Sequence, residues 1–90
     1  MTVAEKKAVD LLHVMEAKGG PMGQNQMILT HLFANGPITP LESLRDYGVM
    51  RLGSRINDLR KMGIPITTVM IENDGKRYAR YELEADRGEL

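Results

Sequence analysis

The sequence predicts a mainly α-helical domain that ends in a small β-hairpin. Three observations lead to this fold class. Apolar residues recur at three-to-four spacing through residues 3–62, which is the spacing of one helix face. Residues 64–71 are rich in β-branched types, and residues 76–83 alternate in polarity as a strand does. Between these two segments lies Asp74-Gly75, and an Asp-Gly pair in that position is a strong hairpin signal.

The first predicted helix covers residues 3–18, a run that contains neither Gly nor Pro. Thr2 can cap its start, and Gly19 can end it because glycine accepts the left-handed C-cap conformation. Its apolar stripe has two possible uses: it enlarges the core of its own domain, or it pairs with the same helix of a second chain. The second use predicts a homodimer with the interface residues Ala4, Ala8, Leu11, Leu12 and Met15.

The following segments predict a hinge and a second helix. Residues 19–23, Gly-Gly-Pro-Met-Gly, are expected to form the hinge. Residues 24–34 carry a broad apolar face and are expected to form the helix, which Asn35-Gly36 ends. Pro37-Ile38 then predicts a brief extended piece.

The third helix, predicted over residues 40–47, has the clearest local signal in the chain. Thr39 is a good N-cap, Pro40 suits the first helical position, and Glu42 can close a capping box. On this short helix we expect Leu41 and Leu44 to point inward.

A fourth helix is predicted over residues 49–62. Its buried stripe consists of Val49, Leu52, Ile56 and Leu59. Gly63 is the expected C-cap, and Pro65 prevents the helix from continuing. The residues after the hairpin, 84–90, are mostly polar and are predicted to form a frayed acidic tail.

This order of elements is that of a winged helix-turn-helix, preceded here by an extra N-terminal helix. The helix-turn-helix pair is 40–47 and 49–62, joined by a turn that contains a glycine, and the hairpin is the wing. The predicted winged helix-turn-helix domain therefore spans residues 24–83.

The segment ITPLESLRDYGVMRLGSRINDLRKMGIPI, followed by DGKRYARYEL, resembles a family of small winged helix-turn-helix proteins common in bacteriophages and prophages. The matching positions are Ile28-Leu29, Ile38 to Leu44, Arg51-Leu52, Arg55-Ile56, Asp58 to Arg60, Gly75 to Arg77, Ala79 to Tyr81 and Leu83. The resemblance covers residues 24–83. It implies a DNA-binding or regulatory role, with duplex DNA as partner, in the cytoplasm of a bacterial host cell.

The outward side of the fourth helix carries the side chains that suit DNA. A recognition helix contacts base edges with its N-terminal outward residues, where Arg pairs with guanine and Asn with adenine. The predicted base contacts are Arg51, Ser54, Asn57 and Met50. On the same helix, Arg55 and Lys61 are the predicted contacts to the DNA backbone. Wings commonly touch phosphates or the minor groove, so Lys76, Arg77 and Arg80 are the predicted backbone contacts of the wing.

A structural interpretation competes with this one. Arg55 and Asp58 lie three residues apart, and Arg51 can reach Asp58 or Asp46, so the same side chains can form ion pairs that fix the fold. The basic residues of the wing can equally protect a strand edge from pairing with another chain.

Several classes of protein are excluded by composition. The chain has no cysteine, which rules out a disulfide scaffold, a thiol nucleophile and a thiolate zinc site. His13 and His31 lack metal-ligand spacing, and neither a nucleophile motif nor a phosphate-binding loop is present. We therefore expect no enzyme, metal or cofactor. No apolar run approaches the length that crosses a bilayer, and the N-terminus lacks a signal-peptide pattern, so we expect a cytoplasmic protein without a membrane partner.

Two function hypotheses remain. The first is a sequence-specific regulator of transcription from a phage or prophage, and here we favour the homodimer because two half-sites multiply affinity. The alternative is a protein-binding module on the same fold, which inhibits or recruits a host or phage protein, for example as an anti-defence factor. The zero net charge, the acidic tail and the outward Met50 favour that alternative.

Overall fold

The order of helices and strands in the computed structural model is the predicted one. It describes residues 1–19 and 22–85. The elements are α1 (Val3–Ala17), α2 (Gln24–Ala34), α3 (Pro40–Tyr47), α4 (Leu52–Lys61), β1 (Ile66–Asn73) and β2 (Lys76–Leu83). The winged helix-turn-helix architecture with an added N-terminal helix is thereby confirmed. Residues 20 and 21 of the predicted hinge, and residues 86–90 of the predicted tail, lie outside the described residues.

The core forms around α2, which packs between α1 and α4. It is aliphatic, and its fully buried members include Ile28, Leu29, Ile38, Ile56 and Leu59. Within the described residues, no helix is long and apolar enough to cross a membrane.

The apolar stripe of α1 faces this core. Ala4 and Ala8 are buried within the chain, and Leu11, Leu12 and Met15 pack half-buried against the core cluster. Two of the five residues of the predicted dimer interface, Ala4 and Ala8, therefore have no exposed surface for a second chain, and the stripe extends the chain's own core.

The start of α4 differs from the prediction. Arg51 has φ −112° and ψ 63°, which is not helical, so the helix begins at Leu52 rather than at residue 49. Val49 is nevertheless buried. Two hydrogen bonds hold its backbone against Ser43 of α3: the Val49 N–H donates to the Ser43 carbonyl (3.1 Å), and the Val49 carbonyl accepts from Ser43 Oγ (2.9 Å). Residues 48–51 thus form the turn between the two helices, and Met50 lies on that turn.

The prediction that Leu41 and Leu44 point inward is wrong. Leu41 is 68% exposed and Leu44 is 50% exposed. The side of α3 that meets the rest of the chain carries the buried Ser43 and the half-buried Tyr47. Ser43, a polar residue whose hydroxyl has a hydrogen-bond partner in the fold, therefore occupies the inward position that the apolar pattern predicts for leucine.

The wing is a two-stranded antiparallel hairpin with Asn73 opposite Lys76. Its two turn residues, Asp74 and Gly75, both have positive φ (51° and 75°), as a type I′ turn requires. β1 begins and ends two residues later than predicted, because Gly63 (φ 94°) and Ile64, whose N–H donates to the Leu59 carbonyl, close the end of α4 first. Ile38 joins the wing through two backbone hydrogen bonds with Tyr81, of 2.8 and 2.9 Å.

The capping box predicted for α3 is present. Thr39 Oγ1 accepts a hydrogen bond from the Glu42 N–H (3.3 Å), and Glu42 Oε1 accepts from the Thr39 N–H (3.1 Å).

We expect Thr39→Ala to lower the free energy of unfolding by about 1 kcal/mol, the usual effect of losing an N-cap. Urea unfolding followed by circular dichroism measures it. Thr39→Ser is the control, since serine keeps the accepting oxygen, and equal losses in both variants would contradict this account.

Candidate nucleic-acid interface

The turn before α4 presents two of the four predicted base-contact residues. Met50 is 83% exposed, which is the highest exposure among the large apolar residues of the described chain. Arg51 is exposed, and no described residue accepts a hydrogen bond or ion pair from its guanidinium. Both side chains line a shallow cleft of about 260 Å³ together with Arg55, Gly48 and Gln24.

Gln24 is a site residue that the sequence analysis missed. It opens α2 and is far from α4 along the chain, so no local spacing connects the two. Only the packing of α2 against α4 brings it to the cleft, where its Oε1 accepts a hydrogen bond from Arg55 (3.4 Å).

The remaining base-contact candidates lie on α4 itself. Asn57 is exposed and Ser54 is half-buried, and both are on the opposite side of α4 from Leu52, Ile56 and Leu59. The structure thus brings together the four predicted base-contact residues along the turn and the first two turns of α4. They contact solvent rather than the core.

Arg55 fits the competing structural interpretation. Its guanidinium forms an ion pair with Asp58 (3.1 Å), one helical turn further along. Its Nε is buried without a hydrogen-bond partner in the described chain. The ion pair expected as an alternative therefore exists for Arg55, whereas Arg51 reaches neither Asp58 nor Asp46.

Asp46 pairs instead with its neighbour Arg45. Arg45 Nε donates to Asp46 Oδ1 at 2.9 Å on the exposed surface of α3. This hydrogen bond, with the charge of the guanidinium, lowers the pKa of the Asp46 carboxyl and raises the pKa of Arg45. Because both groups are exposed, solvent screens the pair, and we expect it to add little stability.

The wing divides its basic residues between two faces. Lys76 and Arg80 share one face, and Arg77 lies on the other, as the alternation of side chains along a strand requires. Arg77 is exposed and loosely paired with Glu72 at 3.9 Å, while Arg80 is less exposed and lies 3.8 Å from Glu82. Lys76, like Lys61 at the end of α4, is exposed and has no ion pair among the described residues.

Arg60, to which the sequence pattern assigns no role, has a structural one. Its guanidinium donates to the Ile66 carbonyl (2.8 and 3.2 Å) and to Thr68 Oγ1 (2.8 Å). It also lies 6.0 Å from the centre of the Tyr81 ring. Arg60 therefore fixes the wing against the end of α4, so that the wing keeps a set position beside the candidate recognition helix.

His31 is likewise structural. It is buried, its Nε2 lies 3.1 Å from the Pro37 carbonyl, and its Nδ1 lies 2.6 Å from Tyr47 Oη. A carbonyl only accepts, so Nε2 carries a proton, and in the neutral ring Nδ1 then accepts from the tyrosine hydroxyl. Among the described residues, no group of His, Asp and Glu has the arrangement of a metal site.

A comparison with known protein families agrees with the fold described above. A family described as "Winged helix-turn-helix domain" matches residues 23–86. The matched segment is more than half of the chain and contains α2, α3, α4 and both strands, whereas α1 precedes it. A search of curated proteins and a search of solved structures gave no match.

Proposed function

The chain belongs to the winged helix-turn-helix domain family, and on that premise we propose that it is a sequence-specific duplex DNA-binding protein that regulates transcription in a phage or prophage. The observation that carries the proposal is the exposed Arg51 guanidinium beside Met50, at the entry to α4, which no described residue binds. A guanidinium without such a partner is free to form a bidentate pair with guanine.

In this proposal, α4 enters the major groove with its N-terminal end. Arg51 and Asn57 bind base edges by hydrogen bonds, Ser54 serves as a short donor or acceptor, and Met50 makes apolar contact with a thymine methyl group. The side chains on the opposite side of α4 remain in the core, so the helix docks without rearrangement.

Backbone contacts come from two groups of basic residues. Lys61, Lys76 and Arg77 have exposed charges that can meet phosphates directly. Arg55 and Arg80 are half-buried and each pairs with a half-buried carboxylate, so they must exchange that carboxylate for a phosphate, whereas the pair of Arg77 with Glu72 is exposed to solvent. We therefore expect about three phosphates to be neutralised, which gives a slope of about −3 for log affinity against log salt concentration.

A salt titration tests the proposal. Binding to a random-sequence duplex is measured by fluorescence anisotropy from low to physiological ionic strength. We expect affinity to fall steeply and linearly on a log–log plot, after which selection from a random pool identifies the preferred site. An absence of binding at low salt would contradict the proposal.

If the titration shows no DNA binding, that result favours a second function, a protein-binding module. Leu41 and Leu44 give α3 an exposed apolar surface, and a cleft of about 440 Å³ beside it is lined by Pro40, Leu41 and Tyr78. Exposed apolar patches of this kind mark protein interaction sites. Arg55 and Arg80, each beside a half-buried carboxylate, would then form ion pairs of the fold rather than contacts to phosphates.

A further inference from the structure

A second stripe of α1 lies beside the stripe that faces the core. It consists of Val3, Lys7, Asp10, Val14 and Ala17, all of which are exposed. Val3 is 60% exposed and Val14 is 52% exposed, which is high for β-branched apolar residues in a helix. The successive spacings are four, three, four and three residues, the repeat with which two helices pack side by side along a common seam.

The order of residue types along this stripe is self-complementary. From the N-terminus it runs apolar, positive, negative, apolar. When two copies run antiparallel, Lys7 of each lies opposite Asp10 of the other, and Val3 of each lies opposite Val14 of the other. A two-fold interface needs this property, because each contact between residues i and j occurs twice.

Neither central charge has a side-chain partner within the described part of the chain. Lys7 and Asp10 have no hydrogen-bond or ion-pair partner among the described residues, not even each other. Both line a groove of about 360 Å³, whose apolar lining comes from Leu11, Val14 and Met62. The groove therefore offers apolar contact and one charge of each sign on the same surface.

We propose that α1 is a homodimerisation helix that pairs antiparallel with α1 of a second copy through Val3, Lys7, Asp10 and Val14. The inference is independent of DNA binding, because the seam contains none of the candidate DNA-contact residues. The partner is a second copy because the charges on one stripe match those on the same stripe reversed.

Charge exchange tests the proposal. Lys7→Glu places like charges opposite Asp10 of the second copy, and Asp10→Lys does the same opposite Lys7. In sedimentation equilibrium between about 10 µM and 1 mM protein, we expect each single variant to dimerise at least about tenfold more weakly than the unaltered chain. The double variant Lys7→Glu/Asp10→Lys restores both pairs and the net charge, so its dimerisation is expected to return.

The controls separate an interface from a folding effect. Because both side chains are exposed, circular dichroism and thermal unfolding are expected to be the same in all four proteins when they are measured below about 10 µM, where dimerisation does not add to stability. Monomers of the unaltered chain over the whole concentration range would overturn the proposal. So would a dimer that both single variants leave intact, or a double variant that stays as weak as the single ones. If the unaltered protein dimerised but did not bind DNA, that result would count against the proposed function alone.

Discussion

Replacing both Arg51 and Arg77 with alanine is expected to weaken binding to duplex DNA about 100-fold. A bidentate contact from arginine to guanine contributes about 1–3 kcal/mol of discrimination, and loss of a phosphate contact from the wing adds to it. Arg51 is held by no described residue, and the only described ion pair of Arg77 is a solvent-exposed one of 3.9 Å, so neither substitution should disturb the fold. Fluorescence anisotropy on the selected site measures the affinity, and the slope against salt should fall by about 1, because only Arg77 contacts a phosphate.

A matched variant controls for the change of charge. Lys6→Ala/Lys18→Ala also removes two exposed positive charges, and both lie at α1, outside the candidate interface. We expect this control to bind within about threefold of the unaltered protein, because distant surface charges act only through the screened overall field. Equal losses in the two double variants would mean that net charge, rather than the contacts of α4 and the wing, determines binding.

Replacing Leu59 with alanine is expected to lower the free energy of unfolding by about 3 kcal/mol. Leu59 is completely buried on α4, among the aliphatic side chains that join this helix to α2. The loss combines the transfer free energy of the deleted methyl groups with the cost of the cavity that they leave. In a domain of this size, such a loss is a large fraction of the total stability. Urea unfolding at constant pH measures it.

Leu41→Ala is the matched control for this substitution. It deletes the same atoms from an exposed position on α3, where no cavity can form. We expect a change below about 0.5 kcal/mol. If both variants lost the same stability, Leu41 would have to be buried in solution, for example by a partner on the apolar surface of α3.

Local chemistry made most of the fold predictable. The capping box of Thr39 and Glu42, the type I′ turn at Asp74-Gly75 and the glycine after α4 each depend on a few neighbouring residues, and each is present. Such features are encoded within one turn of chain, so a single sequence is enough to identify them.

Features that depend on distant contacts were not predictable in the same way. The apolar pattern of α3 identifies Leu41 and Leu44, but whether they face the core depends on how α3 crosses α2 and the wing. The Ser43 hydroxyl lies there instead, because the Val49 carbonyl is placed to accept from it. The apolar periodicity also predicts that α4 begins at residue 49, because Val49 continues its buried stripe. Val49 is buried, but it lies in the turn before α4 rather than in the helix.

The candidate site shows the same division. Exposure of Met50, Arg51 and Asn57 agrees with the outward positions expected for them. Gln24 and Arg60 were missed because their partners are Arg55 and the Ile66 carbonyl, which only the folded chain brings near. Whether these residues contact DNA remains a prediction, which the variants above test.

The two hydrogen bonds between Ile38 and Tyr81 have a mechanical consequence. They tie Ile38, two residues before α3, to β2, while Arg60 ties α4 to β1, so the wing and both helices of the pair are joined into one stiff body. A stiff body gives up little conformational entropy when it binds, but it cannot mould itself to its target. For a DNA-binding role, any mismatch in shape between this body and the duplex must then be met by the DNA, which bends or changes its groove width. Part of the sequence preference would arise from base pairs that no side chain touches, through the ease with which they deform.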